Sequence, residues 1–190
     1  MRLLKLSVIL FSAILLQGCI AAAVVGLAGG VSVATDNRTV GNQFDDQKIE
    51  LKAHSALAND SAVNDNAHLQ VVSINGSVLI IGQAPNTYIR DLALKAVKEV
   101  EGVVQIFDQI RIGTNTSMTT RTNDLWITSK VKAALLSTEN LDAINVKVVT
   151  ENGEVFLLGY IDKAQADKAV DVARNVTGVS RVFKMFEYQE

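Results

Sequence analysis

The chain has 190 residues, 18 Lys and Arg against 20 Asp and Glu, and therefore a formal charge of −2. That balance lacks the basic excess of a nucleic-acid binder, so an anionic partner has to be met by a local patch. A single cysteine excludes an internal disulfide, and the length allows one ordinary domain or two small ones.

Arg2 and Lys5 precede an apolar run, Leu6 to Leu16, which is too short to span a bilayer as a stable helix. Leu16-Gln17-Gly18-Cys19 follows, with the only cysteine directly after a small residue. The pattern resembles the cleavage and acylation site of bacterial lipoproteins. Residues 1–18 are then a signal peptide and Cys19 the lipid attachment site. The alternative is an ordinary secretory peptide with a chance thiol. Three acyl chains, at about 0.8 kcal/mol per buried methylene, would anchor the chain permanently. The next residue is Ile20, not the aspartate that favours inner-membrane retention in enterobacterial lipoproteins, so the periplasmic face of the outer membrane is expected. Without residues 1–18 the chain has 172 residues, and losing Arg2 and Lys5 leaves 16 bases against 20 acids, a charge of −4.

Residues 19–44 form the lipidated N-terminus and tether, rich in Ala, Gly and Val. As a flexible chain, 20–44 would reach roughly 25–30 Å. The competing possibility is a short apolar helix through Ala21 to Ala34, weakened by Gly26, Gly29 and Gly30.

Beyond the tether the sequence occurs twice. Ile49, Ala53, Ala56 and Leu57 recur 78 positions later as Ile127, Val131, Ala134 and Leu135. The block Val71 to Val78 recurs as Val148 to Val155 at an offset of 77, Gly82 as Gly159 at 77, and Gly102-Val103 as Gly178-Val179 at 76. Drift by single residues is what loop deletions leave in a tandem duplication. The copies span 45–112 and 124–190, joined by a polar linker, 113–123.

Each copy opens with an amphipathic helix, near 47–58 and 124–137. Asp45-Asp46 reads as negative charge at the N-terminus of the first. Two Val/Ile/Leu-rich runs follow, joined by Asn75-Gly76 or Asn152-Gly153, the strongest short-range hairpin signal. A second helix carries Ile89, Ala93 and Val97, or Ala166, Ala169 and Ala173, at a 3.6-residue period and stops at Gly102 or Gly178. A last strand ends each copy, Val103 to Ile112 and Val179 to Tyr188.

The order helix, strand, strand, helix, strand resembles the BON domain family, on the hairpin blocks Val71 to Gly82 and Val148 to Gly159 and the helix ends Glu101-Gly102-Val103 and Thr177-Gly178-Val179. Two such domains behind a lipobox, with Thr39-Val40-Gly41, Asp45-Asp46 and Thr150 to Leu157, resemble dual-BON outer-membrane lipoproteins of the DolP/YraP group. The resemblance implies an α+β fold, each domain a three-stranded mixed sheet packed on two helices. It also implies binding of anionic phospholipid, such as phosphatidylglycerol or cardiolipin, and a role in outer-membrane integrity and cell division.

The duplication is an internal control: positions needed only for folding should match. On the outer side of the first helix the pairs Gln47/Leu125, Lys48/Trp126, Ser55/Ala133 and Ala58/Leu136 become more apolar in copy two, while Leu51/Ser129 runs the other way. Where copy one accepts a lysine, Trp126 should be exposed, and tryptophan is favoured at membrane interfaces. Leu125, Trp126, Lys130, Ala133 and Leu136 are the candidate phospholipid-binding residues, with Lys132 nearby. Alternatively Trp126 packs against the linker or the first domain, Leu125 and Leu136 cover the domain seam, or the patch docks outer-membrane assembly machinery as an adaptor.

Catalysis is not expected, because no nucleophile and base pair up in the sequence. His54 and His68 lack a third metal ligand and read as solvated surface residues, and Gly29-Gly30 lacks the context of a phosphate loop. Neither a cofactor nor a metal is implied.

Overall fold

The computed structural model describes residues 40–188, with side chains from Asp45 onward. The signal peptide, Cys19 and the tether up to Thr39 lie outside the described residues. The elements are α1 (Val40–Asn59), α2 (Ser61–Asn64), β1 (His68–Ile74), β2 (Ser77–Ala84), α3 (Thr87–Lys98) and β3 (Gln105–Ile112). They continue as α4 (Met118–Leu136), a 3-10 turn (Ala143–Asn145), β4 (Val146–Glu151), β5 (Glu154–Ile161), α5 (Lys163–Arg174) and β6 (Arg181–Tyr188).

In each domain the central strand pairs antiparallel with its hairpin partner and parallel with the last strand, giving the orders β1-β2-β3 and β4-β5-β6. Both hairpins close as the sequence requires. Asn75 and Gly76 have φ of 50° and 79°, Asn152 and Gly153 of 50° and 75°, the two-residue turn with positive φ at both positions. Asn86 caps α3 and Asp162 caps α5 by accepting the N–H of Ile89 and Gln165.

The helices begin earlier than their apolar periodicity indicates. α1 starts at Val40, inside the segment expected to be tether, and α4 at Met118, inside the expected linker. Ser117 supplies the physical reason for the second start, since its hydroxyl accepts the N–H of Thr120 and satisfies an orphan donor of the first turn. Two short elements go beyond the expected order: α2, capped by Asp60, and the 3-10 turn before β4.

One face of each sheet packs on helices. Ile49, Ala53, Leu57, Val78, Ile80, Ala93 and Val97 form the first core, and Ile127, Val131, Leu135, Val155, Leu157, Ala166 and Ala169 the second. The other faces meet each other. Val72, Ile74, Leu79 and Ile81 form one buried cluster with Val149, Phe156 and Leu158, and Phe156 stacks on Phe183 at 4.8 Å. The seam between the domains is therefore sheet against sheet, and Leu125 and Leu136 do not cover it. Polar contacts border it: Glu187 accepts from Asn75 (3.0 Å) and Ser77 (2.6 Å), Glu151 from Gln83 (2.6 Å), and Lys147 donates to Glu50 (2.9 Å).

Asp45 and Asp46 lie in the second turn of α1, not at its N-terminus, and have different roles from the one expected. Asp45 is exposed and pairs with Lys48 at 3.1 Å. Asp46 is buried, and its carboxylate accepts from Ser73 Oγ (2.7 Å) and from the backbone N–H of Asn75 (2.9 Å) and Gly76 (3.0 Å). In the second domain Asp124 accepts from the N–H of Asn152 and Gly153, both at 2.8 Å. A hairpin turn with positive φ aims successive amides to one side, and this carboxylate satisfies them.

Candidate lipid-facing site

α4 buries Asp124, Ile127, Val131 and Leu135 against the second sheet. Its opposite side holds the sequence-predicted residues together in solvent: Leu125 is 70% exposed, Trp126 65% and Leu136 67%, with Lys130 and Ala133 also exposed. Trp126 is thus packed neither against the linker nor in the core. Lys130 lies over its ring, with Nζ 5.9 Å from the centroid, which keeps a cation beside the indole.

Met118 belongs to the same face and is 73% exposed. It escaped the sequence argument because it lies in the Thr- and Asn-rich stretch read as linker. Met118, Leu125 and Leu136 are seven and eleven residues apart, which returns them to nearly one line along the helix, about 27 Å long at 1.5 Å per residue. The hydroxyls between them are turned inward. Thr122 donates to the Met118 carbonyl and Ser129 to that of Leu125, each at 2.9 Å, so neither competes for solvent as a free donor.

The corresponding face of α1 is different. Lys48 stands in place of Trp126 and is held by Asp45, and Lys52 pairs with Glu101 at 2.8 Å. Among the described residues Leu51 is the one large apolar side chain exposed there. The same fold thus carries a charged, ion-paired helix face in one copy and an apolar, cation-edged face in the other.

The histidines divide. His54 is exposed, as expected, whereas His68 at the start of β1 is half-buried. Burial first, and the Arg121 guanidinium second, hold its imidazole below the ordinary histidine range, with Glu151 opposing. Among the described residues no group of His, Cys, Asp and Glu could hold a metal ion, and no helix is long and apolar enough to cross a membrane.

The BON domain model matches residues 45–114 and 123–190, one match per duplicated copy. The chain belongs to the BON-domain family. It is 40% identical over 184 residues to outer membrane lipoprotein DolP of Haemophilus influenzae, covering 97% of this chain and 95% of the relative. It is 42% identical over 153 residues to a 21 kDa hemolysin of Actinobacillus pleuropneumoniae (80% and 79% covered). Osmotically-inducible protein Y of Escherichia coli is 31% identical over 163 residues (82% and 78% covered). Two BON domains and near full-length similarity make this chain a dual-BON outer-membrane lipoprotein of the DolP type, lipid-anchored at that membrane.

Proposed function

We propose that this lipoprotein, acylated at Cys19 after removal of residues 1–18, binds anionic phospholipid through the outer face of α4 and thereby supports outer-membrane integrity and acts at the division site. The observation that carries the reading is the exposed indole of Trp126 between Leu125 and Leu136, where the sister domain has a lysine held by an aspartate. BON domains are associated with phospholipid binding in general. Burying each large apolar side chain contributes about 1.5–3 kcal/mol. Lys130 and Lys132 each add about 1 kcal/mol near an anionic surface. Such a face binds weakly from free solution, but an acyl anchor holds it within reach of lipid and makes the second contact intramolecular. The function proposed is binding, and no catalytic step is part of it.

The test uses residues 36–190, free of the anchor, with phosphatidylglycerol, cardiolipin and zwitterionic phosphatidylcholine vesicles. Trp126 emission should shift to the blue only with the anionic vesicles, and Trp126→Glu should abolish co-sedimentation with an unchanged circular dichroism spectrum. Unchanged binding by that variant would overturn the site. An absence of vesicle binding in the parent, together with high-yield crosslinking from position 126 to one envelope protein, would establish the adaptor reading in its place.

A further inference from the structure

Beside the sheet-on-sheet seam lie two cavities of about 610 and 360 Å³, each in the range of small-ligand sites. Gln70 of β1, Lys132 of α4 and Val148 and Val149 of β4 stand in the walls of both, so the two cavities adjoin along these residues.

The charges around this waist are nearly all engaged. In the larger cavity Lys147 is paired with Glu50 at 2.9 Å and also donates to the Ser73 carbonyl at 2.8 Å. In the smaller one both Asp124 oxygens accept backbone amides, and Glu151 accepts from Gln83 while facing Arg121 and His68. Two cations are the exceptions: Arg121, in the smaller cavity alone, donates only to the Thr116 hydroxyl at 3.5 Å, and Lys132, which borders both cavities, is exposed and, among the described residues, forms no ion pair. An ammonium without a counter-ion, with the Gln70 amide and the His54 imidazole in the same cavity wall, suits an anion.

The surroundings say what kind of anion. From Lys132 the wall of the larger cavity continues over Leu136, Ala143, Ile144 and Val146, and two of these are exposed at 67% and 53% (Leu136 and Ile144). A cation at one end of an apolar strip matches a molecule with an anionic head and a hydrocarbon body. Leu136 also belongs to the outer face of α4, so the strip is continuous with the surface read as lipid-facing.

We infer that the groove beside the seam holds one anionic phospholipid molecule, its phosphate on Lys132 between Gln70 and His54 and the start of an acyl chain on Leu136 and Ile144. This rests on the lipid-facing reading of α4 and deepens it. The ligand is then gripped by both domains, and the first domain is part of the binding site.

The experiment uses the full chain in maltoside micelles, which contain no phosphate, and follows the Gln70 side-chain amide and the His54 ring by NMR. The probes are dihexanoyl phosphatidylglycerol, glycerophosphoglycerol and inorganic phosphate. Dihexanoyl phosphatidylglycerol should move both signals, Lys132→Gln should weaken its binding roughly tenfold, the effect of one charge-assisted hydrogen bond, and Ile144→Asn should weaken it without affecting glycerophosphoglycerol. Signals that stay still under dihexanoyl phosphatidylglycerol overturn the inference, as does inorganic phosphate binding equally well, which would make this a plain phosphate site. If they stay still while Trp126 emission still shifts on anionic vesicles, the seam site falls and the α4 face stands. If they move while Trp126 does not insert, the reverse holds.

Discussion

Asp46→Ala and Asp124→Ala remove the buried carboxylate beneath each Asn-Gly turn, and the structure sets the size of the effect. Asp124 accepts two backbone amides at 2.8 Å, and Asp46 accepts two amides and the Ser73 hydroxyl between 2.7 and 3.0 Å. Hydrogen bonds to a charged group contribute about 1.5–3 kcal/mol each, so Asp124→Ala should cost about 3–6 kcal/mol, less whatever entering water restores. Asp46→Ala should cost at least as much. Against a total stability of about 5–15 kcal/mol, either loss is a large fraction. The control is the neighbouring acid. Asp45 makes only an exposed ion pair with Lys48, and Asp45→Ala should cost no more than about 0.5 kcal/mol. Urea titrations followed by far-UV circular dichroism measure all three. A loss below about 1 kcal/mol at both buried aspartates, or an equal loss at Asp45, would refute the assignment of Asp46 and Asp124 as turn anchors.

Three further outcomes test the structure. A Cβ at Gly82, where φ is +129°, would stand 1.9 Å from the His68 carbonyl oxygen, so Gly82→Ala should cost more than about 3 kcal/mol in thermal melts. Gly113→Ala meets nothing within 4 Å and should be neutral within about 0.5 kcal/mol. His68 is held below its ordinary value of 6.5 in the folded chain, so the unfolded chain takes up the proton first. Its contribution is therefore full above that value and is lost as the pH falls through it towards the folded pKa. The stability of the parent relative to His68→Gln should decline between pH 7.5 and 5, and a difference independent of pH would contradict the burial of the imidazole beside Arg121.

Elements with one buried face and one wet face were legible in the sequence. The helices α3 and α5 and both hairpins follow from period and turn chemistry alone, and the exposure of Trp126 from its lysine twin. The sheet-on-sheet seam was not legible, because Val78 to Ile81 and Val155 to Leu158 are continuous apolar runs. Such a run shows that both faces are buried and not what covers the second. Leu79, Ile81 and Val72 have the twins Phe156, Leu158 and Val149, so the duplication repeats most of the seam without naming it. The turn anchors were hidden for another reason: two adjacent acids at a helix start resemble a complement to the helix dipole. The twin comparison separates them. At the offset of 78, Asp46 maps to Asp124 but Asp45 maps to Asn123, so only one acid is kept in both copies. The same offset maps Val40 to Met118, the first residues of α1 and α4, and would have extended both helices and brought Met118 into the exposed face.

The seam also explains why the first domain is not dispensable although the outer face of its first helix is ion-paired. Leu79, Ile81, Phe156 and Leu158 are at most 2% exposed, and uncovering each would cost about 1.5–3 kcal/mol, together comparable with the stability of a whole domain. The second domain therefore depends on the first to cover its sheet. The Asn75-Gly76 turn is held by Asp46 from its own helix and by Glu187 from the last strand of the other domain. A contact made at the turn fixes strand register on one side and domain position on the other. With the sheets committed to each other, the outer face of α4 was free to diverge, and Trp126, Leu125 and Leu136 could accumulate there without disturbing either core. A face that carries no folding duty in either copy can change from ion-paired to apolar without disturbing the fold.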